Sequence, residues 1–196
     1  MPDNVSEERK KIIEAFGGET TFVPAEDGLA GCLARLHELT EAEPETSFVA
    51  NQFVNPHNPE IHYTQTAPEI WADMEGHVDI LVAGVGSGGT LQGIGTFFKE
   101  RNPDCKVVAV EPKNSAALLG REPGLHQIQG IGDGFVPDVL DVSLVDDVIE
   151  VSDEDAIETT RQLGRDSGLL VGISSGANVW AARQLAAKME GHIATV

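Results

Sequence analysis

Apolar residues recur along the chain in two alternating rhythms. Val5, Ile12, Ile13 and Phe16 keep a helical spacing behind Ser6, a capping hydroxyl, and Glu7 and Glu8, two acids suited to the positive end of a helix dipole. Gly17 is placed to end that helix. "TTFVP" then predicts a short strand, Leu29 to Leu39 a second helix, and "TSFVA" another strand. The loop "NQFVNPHNP" leads to a helix through "PEIWADM". "VDILVAG" predicts a buried strand, followed by a glycine-rich turn and a helix, and "KVVAVEP" predicts the next strand. A long irregular stretch runs from Lys113 to Asp141, a length more often functional than structural. "DVIEVSD" is strand-like, and Ser152 with Asp155 resembles a capping box for the helix beyond. "LLVGI", a turn at "SSGA", a helix from "NVWAARQ" and a final "IATV" complete the chain. Strands apolar on both faces, alternating with helices, predict an α/β fold: a doubly wound, mostly parallel sheet.

Composition narrows the chemistry. The 196 residues carry 32 acids against 13 bases, a formal net charge of −19. That argues against nucleic acid as a partner, which needs a basic footprint. The acidity serves solubility, or adaptation to high salt, where screening removes self-repulsion. No apolar run approaches the ~20 residues of a membrane helix. The polar start "MPDNVSEERKK" lacks the apolar core of a signal peptide, so a cytoplasmic location is expected. Cys32 and Cys105 have no metal spacing and are expected to be buried thiols.

The sharpest motif is "AGVGSGGTLQGIG", residues 83–95. A strand, a glycine turn and a helix together present backbone N–H groups to an anion. Gly84, Gly86 and Gly89 satisfy G-x-G-x-x-G, and Glu111 follows at the distance of a dinucleotide fold's ribose-binding acid. A triphosphate loop is excluded, because Thr90 stands where its lysine should be. Ser87 and Thr90, interleaved with Gly88 and Gly89, suit one compact phosphate instead. Two further loops, "QGIGDGF" and "GISSGAN", would converge on the same crevice at the carboxyl ends of the strands.

"NQFVNPHNP", "GVGSGGTLQGIG", "IQGIGDGFVPDVLD" and "GISSGANVWAA", in this order along the chain, resemble the cysteine synthase (O-acetylserine sulfhydrylase) family. These are enzymes of the pyridoxal-phosphate-dependent fold type II, the tryptophan synthase β-like fold that cystathionine β-synthase shares. The resemblance runs through essentially the whole chain and displaces the dinucleotide reading. It implies pyridoxal 5'-phosphate as cofactor, an amino-acid substrate and sulfide as small-molecule partners, and a homodimeric parent enzyme. It places Gly86, Ser87, Gly88, Gly89 and Thr90 around the cofactor phosphate, Gly130 and Gly132 along the cofactor wall, Ser174 at the pyridine nitrogen and Gln52 at the substrate carboxylate. Residues 1–50 would be the remainder of the smaller N-terminal domain, and residues 51–196 the larger cofactor-binding domain.

Two departures from the family pattern follow. Asp133 stands where relatives often carry a small apolar residue, which weakens the identity of the second substrate, with homocysteine as the rival to sulfide. None of Lys10, Lys11, Lys99, Lys106, Lys113 or Lys188 lies in the context of the Schiff-base lysine, so this chain supplies no catalytic residue by that correspondence. It is expected to be a fragment, truncated at both ends, that does not turn over unaided. A non-catalytic module that binds a full-length relative is the alternative from another class.

Overall fold

The computed structural model describes residues 1–196, which divide into two compact units, Met1–Ala50 and Asn51–Val196. In the first unit, α1 spans Glu7–Ala15 and α2 spans Gly28–Ala42. Ser6 precedes α1 but its side chain makes no capping bond. Gly17 turns the chain at φ +80°, and the Gly18 N–H closes back on the Ile13 carbonyl. "TTFVP" forms no strand; its one ladder contact is a bridge between Pro2 and Val23. "TSFVA" is likewise irregular. Both runs lack a neighbouring strand edge to complete a ladder, and an apolar run without partners does not hold the extended pairing. The face expected on α1 is solvent-facing within this chain, with Ile12 and Phe16 exposed.

The second unit carries the sheet. Its chain enters through α3 (His57–Ile61), a π turn (His62–Thr66) and α4 (Ala67–Asp73). Then follow β1 (Ile80–Gly84), α5 (Gly89–Arg101), β2 (Lys106–Pro112), β3 (Asp147–Val151), α6 (Asp153–Ser167), α7 (Ile173–Ala186) and β4 (Ile193–Thr195). All four strands run parallel, in the order β3-β2-β1-β4. The chain moves outward from β1 to β2 and β3, then returns to the other side of β1. That reversal makes the carboxyl end of β1 the topological switch point of the sheet.

Alternation along the strands divides the core. Leu81, Ala83, Val107 and Ala109 face Leu91, Ile94 and Phe98 of α5. Ile80, Val82, Val108 and Val110 face Ala156 of α6 and Ala177 and Ala181 of α7. Helices on both faces require strands apolar on both sides, which "VDILVAG" and "KVVAVEP" are. The Ser152 hydroxyl accepts the Asp155 N–H at 3.1 Å and donates to the Asp155 carboxylate at 2.7 Å, giving α6 its start. "LLVGI" is not a strand: the Leu169 N–H bonds back to Leu163 behind the left-handed Gly168, and Leu170 lies in solvent. "SSGA" is not a turn but the first turn of α7. Gly176 is there because a Cβ would strike the Ala156 carbonyl and Thr160 of α6.

Cys105 is buried, and desolvation pushes its thiol up to about 11; Cys32 is only half-buried. Glu111, at the end of β2, is 2% exposed. Burial pushes its carboxyl up to about 6, against the stabilising N–H bonds from Leu118 and Ala117.

Two predictions arise from this packing. A carboxyl whose pKa is raised by folding binds its proton more tightly in the folded chain, so stability falls as pH rises from the unfolded value through about 6. Glu111→Gln keeps an acceptor for the Leu118 N–H and removes that loss. The variant's melting temperature should exceed the parent's at pH 7 by an amount that shrinks towards pH 4, the full difference being about 2 kcal/mol. The second contrasts two helical glycines. A Cβ on Gly93 would strike the Pro59 carbonyl and lie 2.8 Å from the Tyr63 N, whereas one on Gly164 meets only a carbonyl at 3.8 Å. Gly164→Ala should raise stability by about 1 kcal/mol. Gly93→Ala should lower it by about 1–3 kcal/mol despite the same propensity gain, as thermal melts of the pair would reveal.

Candidate cofactor and substrate site

The loop leaving β1 at the switch point is Val85-Gly86-Ser87-Gly88. Gly88 caps α5 in the left-handed region at φ +83°, a conformation that glycine adopts without Cβ strain. The first intrahelical bond runs from the Gln92 N–H to the Gly88 carbonyl at 2.9 Å. The N–H groups of Gly89, Thr90 and Leu91 therefore have no acceptor within the helix and point out of its N-terminus. With the dipole of a 13-residue helix behind them, they favour an anion.

Two neighbours press on this loop. The Gly132 N–H donates to the Val85 carbonyl at 2.9 Å, and a Cβ on Gly86 would strike the Gly130 carbonyl. Gly130 and Gly132 have φ of +98° and +74°, so the segment "QGIGDG" turns sharply to lie backbone-on-backbone against the β1 loop. On the other side a Cβ on Gly89 would strike the Asn58 carboxamide. Asn58 Nδ2 donates to Ser87 Oγ at 3.0 Å and to the Gln52 carbonyl at 2.7 Å. Thr90 Oγ1 lies 3.2 Å from His62 Nε2.

The sequence-predicted residues thus fall as follows. Gly86, Ser87, Gly88, Gly89 and Thr90 lie together in the turn between β1 and the start of α5, and the Gly130 carbonyl abuts Gly86. Asn58 ties the Gln52 backbone to that turn, with the Gln52 residue itself exposed. Ser174 is half-buried in the first turn of α7, one turn before Asn178. A Cβ on Gly84 would meet Ile131 Cγ2 at 2.8 Å and Asn178 Oδ1 at 3.1 Å. The end of β1, the "QGIGDG" segment and the start of α7 therefore meet at one end of the sheet. Asp133 directly follows Gly132; desolvation holds its carboxyl above the usual range, with His126 opposing, although the residue as a whole is exposed. Glu111 does not serve the glycine loop: its carboxylate accepts the Leu118 N–H at 3.1 Å, inside its own loop. That removes the ribose acid on which a dinucleotide site depends.

Asn58 and His62 were not singled out from the sequence. A signal was there: they stand four apart, and so do Gly89 and Gly93, the two positions of α5 that leave room for the segment 58–63.

Comparison with known proteins matches the chain to a family. Residues 1–196 match the family described as pyridoxal-phosphate dependent enzyme. Cysteine synthase A of Escherichia coli is 46% identical over 193 residues, covering 94% of this chain and 60% of the relative. Among solved structures, cysteine synthase from Entamoeba histolytica superposes with a TM-score of 0.90 at 38% identity, over 98% of this chain and 58% of that one. An O-acetylserine-dependent cystathionine β-synthase from Helicobacter pylori gives a TM-score of 0.92 at 38% identity, over 100% and 64%. The chain spans about three-fifths of the length of the cysteine synthase it matches. With the whole chain matched, and a parallel α/β sheet that superposes on solved members, this chain belongs to the pyridoxal-phosphate-dependent enzymes.

Proposed function

We propose that this chain supplies the cofactor-binding part of a cysteine synthase, which converts O-acetyl-L-serine and sulfide to L-cysteine and acetate. The observation that carries the reading is the Gly86–Thr90 turn at the switch point, closed by the Gly130 carbonyl on one side and Asn58 on the other. The turn fits a phosphate: three outward N–H groups, a helix dipole and two hydroxyls converge where side chains other than glycine would fill the space. Bound there, pyridoxal phosphate supplies an electron sink for replacement at the substrate β-carbon. Ser174, in the first turn of α7, would present a hydroxyl to the ring nitrogen, which a hydroxyl holds less firmly protonated than a carboxylate does. Gln52 would meet the carboxylate end of the amino acid, and Gly130 and Gly132 would line the cofactor wall. On this reading Asn51–Val196 is the cofactor-binding domain and Met1–Ala50 the remainder of a smaller one. O-acetylserine as donor is supported by the Helicobacter pylori relative, whose described activity depends on it.

We infer further that none of the six lysines carries the cofactor. Lys10 pairs with Glu7 at 2.8 Å and Lys99 with Asp146 at 2.8 Å, while Lys11, Lys106, Lys113 and Lys188 are exposed. A cofactor lysine must reach the cofactor aldehyde from a desolvated site, whereas four of these are exposed and the other two are engaged in ion pairs. The chain alone would then bind and orient the cofactor without turning substrate over. The parent enzyme is read as a cytoplasmic homodimer, and the −19 charge as serving either solubility or salt adaptation.

Gly88→Asp should abolish retention of pyridoxal phosphate in equilibrium dialysis, because it adds bulk and negative charge where backbone meets phosphate. Retention equal to the parent's would sink the phosphate assignment. Borohydride treatment with the cofactor, followed by peptide mapping, should fix a pyridoxyl group stoichiometrically on no lysine of this chain. One fully labelled lysine, together with cysteine formation, would reverse the inference. The melting temperature should rise from low to molar chloride, as the Debye length shrinks to ~3 Å; a flat or falling trend would remove the salt adaptation.

A further inference from the structure

The two hydroxyls of the anion turn are each held by a side chain of the segment 57–66. Asn58 Nδ2 donates to the Gln52 carbonyl at 2.7 Å and to Ser87 Oγ at 3.0 Å. A carbonyl can only accept, so the amide nitrogen faces this pair, and both its protons are engaged. Ser87 Oγ is therefore an acceptor towards Asn58, and its own proton is left free. One turn on, His62 Nδ1 lies 3.0 Å from Thr66 Oγ1 and His62 Nε2 lies 3.2 Å from Thr90 Oγ1. Burial favours the neutral ring, lowering its pKa. A neutral imidazole has one donor and one acceptor nitrogen. In the tautomer that carries its proton on Nε2, Thr66 donates to Nδ1 and the Nε2–H donates to Thr90, which again leaves a hydroxyl proton free. Both arrangements repeat one logic: a donor from the segment 58–62 occupies the oxygen and leaves the hydroxyl proton free for another acceptor.

We propose that Asn58 and His62 are positioning residues that commit the Ser87 and Thr90 hydroxyls as hydrogen-bond donors to a bound phosphate. The inference rests on the phosphate reading given above. It matters because the turn itself, Gly86 to Thr90, contains no lysine or arginine. The phosphate's charge must then be met by oriented dipoles, and a hydroxyl whose proton points elsewhere contributes an oxygen lone pair, which repels. Gly89 and Gly93 serve the same end, since a side chain at either would push the segment 58–63 off α5.

The test separates phosphate recognition from ring recognition. Inorganic phosphate, pyridoxal phosphate and pyridoxal are titrated against the 196-residue chain and its variants, by phosphorus NMR and equilibrium dialysis. Asn58→Leu and His62→Leu should each weaken both phosphate ligands about tenfold, and pyridoxal by less than about twofold. His62→Gln, whose amide N–H can take the place of the Nε2–H, should recover most of the loss. In a Ser87→Ala background, Asn58→Leu should add no further loss of phosphate affinity, because its route of action is gone. Equal weakening of pyridoxal and pyridoxal phosphate, or unchanged phosphate affinity, would overturn the proposal. Should Asn58→Leu fail to fold, the His62→Leu and His62→Gln pair decides in the same way. If the unsubstituted chain binds neither phosphate ligand, the cofactor reading falls and takes this proposal with it. If it binds both and the variants match it, this proposal alone falls.

Discussion

The constraint on which the site depends is the close approach of neighbouring groups to glycine backbone, at the loop that leaves β1 and along α5. Gly86 abuts the Gly130 carbonyl, Gly89 abuts the Asn58 carboxamide and Gly93 abuts the Pro59 carbonyl. Gly86 and Gly93 meet backbone directly, and at Gly89 the Asn58 carboxamide fills the place a Cβ would take. The chain meets that constraint with glycines, and each one costs conformational entropy relative to alanine, so the turn is stabilised by what surrounds it. The surroundings are the two cores. Leu91, Ile94 and Phe98 anchor α5 on one face of the sheet, while Ala177 and Ala181 seat α7 on the other. The two anchored helices bring their N-termini to the same end of the parallel sheet.

The polar parts of the site inherit their geometry from this closeness. Asn58 can bridge Gln52 and Ser87 only because Gly89 leaves room for its carboxamide. His62 reaches Thr90 only because Gly93 lets the π turn settle on α5. A π turn shifts the side chains that follow relative to a regular helix, and such turns concentrate at functional positions. Here it lies between two helices of five and seven residues, too short to be stable alone and held by contact with α5.

What could be read from the sequence follows the strength of each local signal. β1, β2, β3 and α6 were legible: long apolar runs between glycines and a capping serine leave few alternatives. The turn Gly86–Thr90 was legible as an anion site because glycines and hydroxyls interleave there. "TTFVP", "TSFVA" and "LLVGI" were misread because a five-residue stretch with two to four apolar residues fits a strand equally well whether or not a partner edge exists. "SSGA" was misread because Gly176 looks like a turn residue, when its lack of a side chain serves the packing of α7 on α6. Asn58 and His62 escaped notice for a related reason. Their partners are 29 and 28 residues away, and only the packed structure puts them in contact.

Charge completes the argument. A chain of −19 offers an incoming phosphate a repulsive field, and no cation stands in the Gly86–Thr90 turn to offset it locally. Attraction must come from short-range elements whose orientation is fixed before binding: the outward N–H groups of α5, its dipole and the two hydroxyls. Fixed dipoles act over a few ångströms and lose little to screening when they are partly desolvated, whereas the long-range repulsion is cut sharply by salt. Such a site gains relative to its surroundings as ionic strength rises. An acidic surface and a cation-free phosphate turn are therefore compatible, provided the hydroxyls are held. Holding them falls to the short helical segment that the glycines of α5 admit.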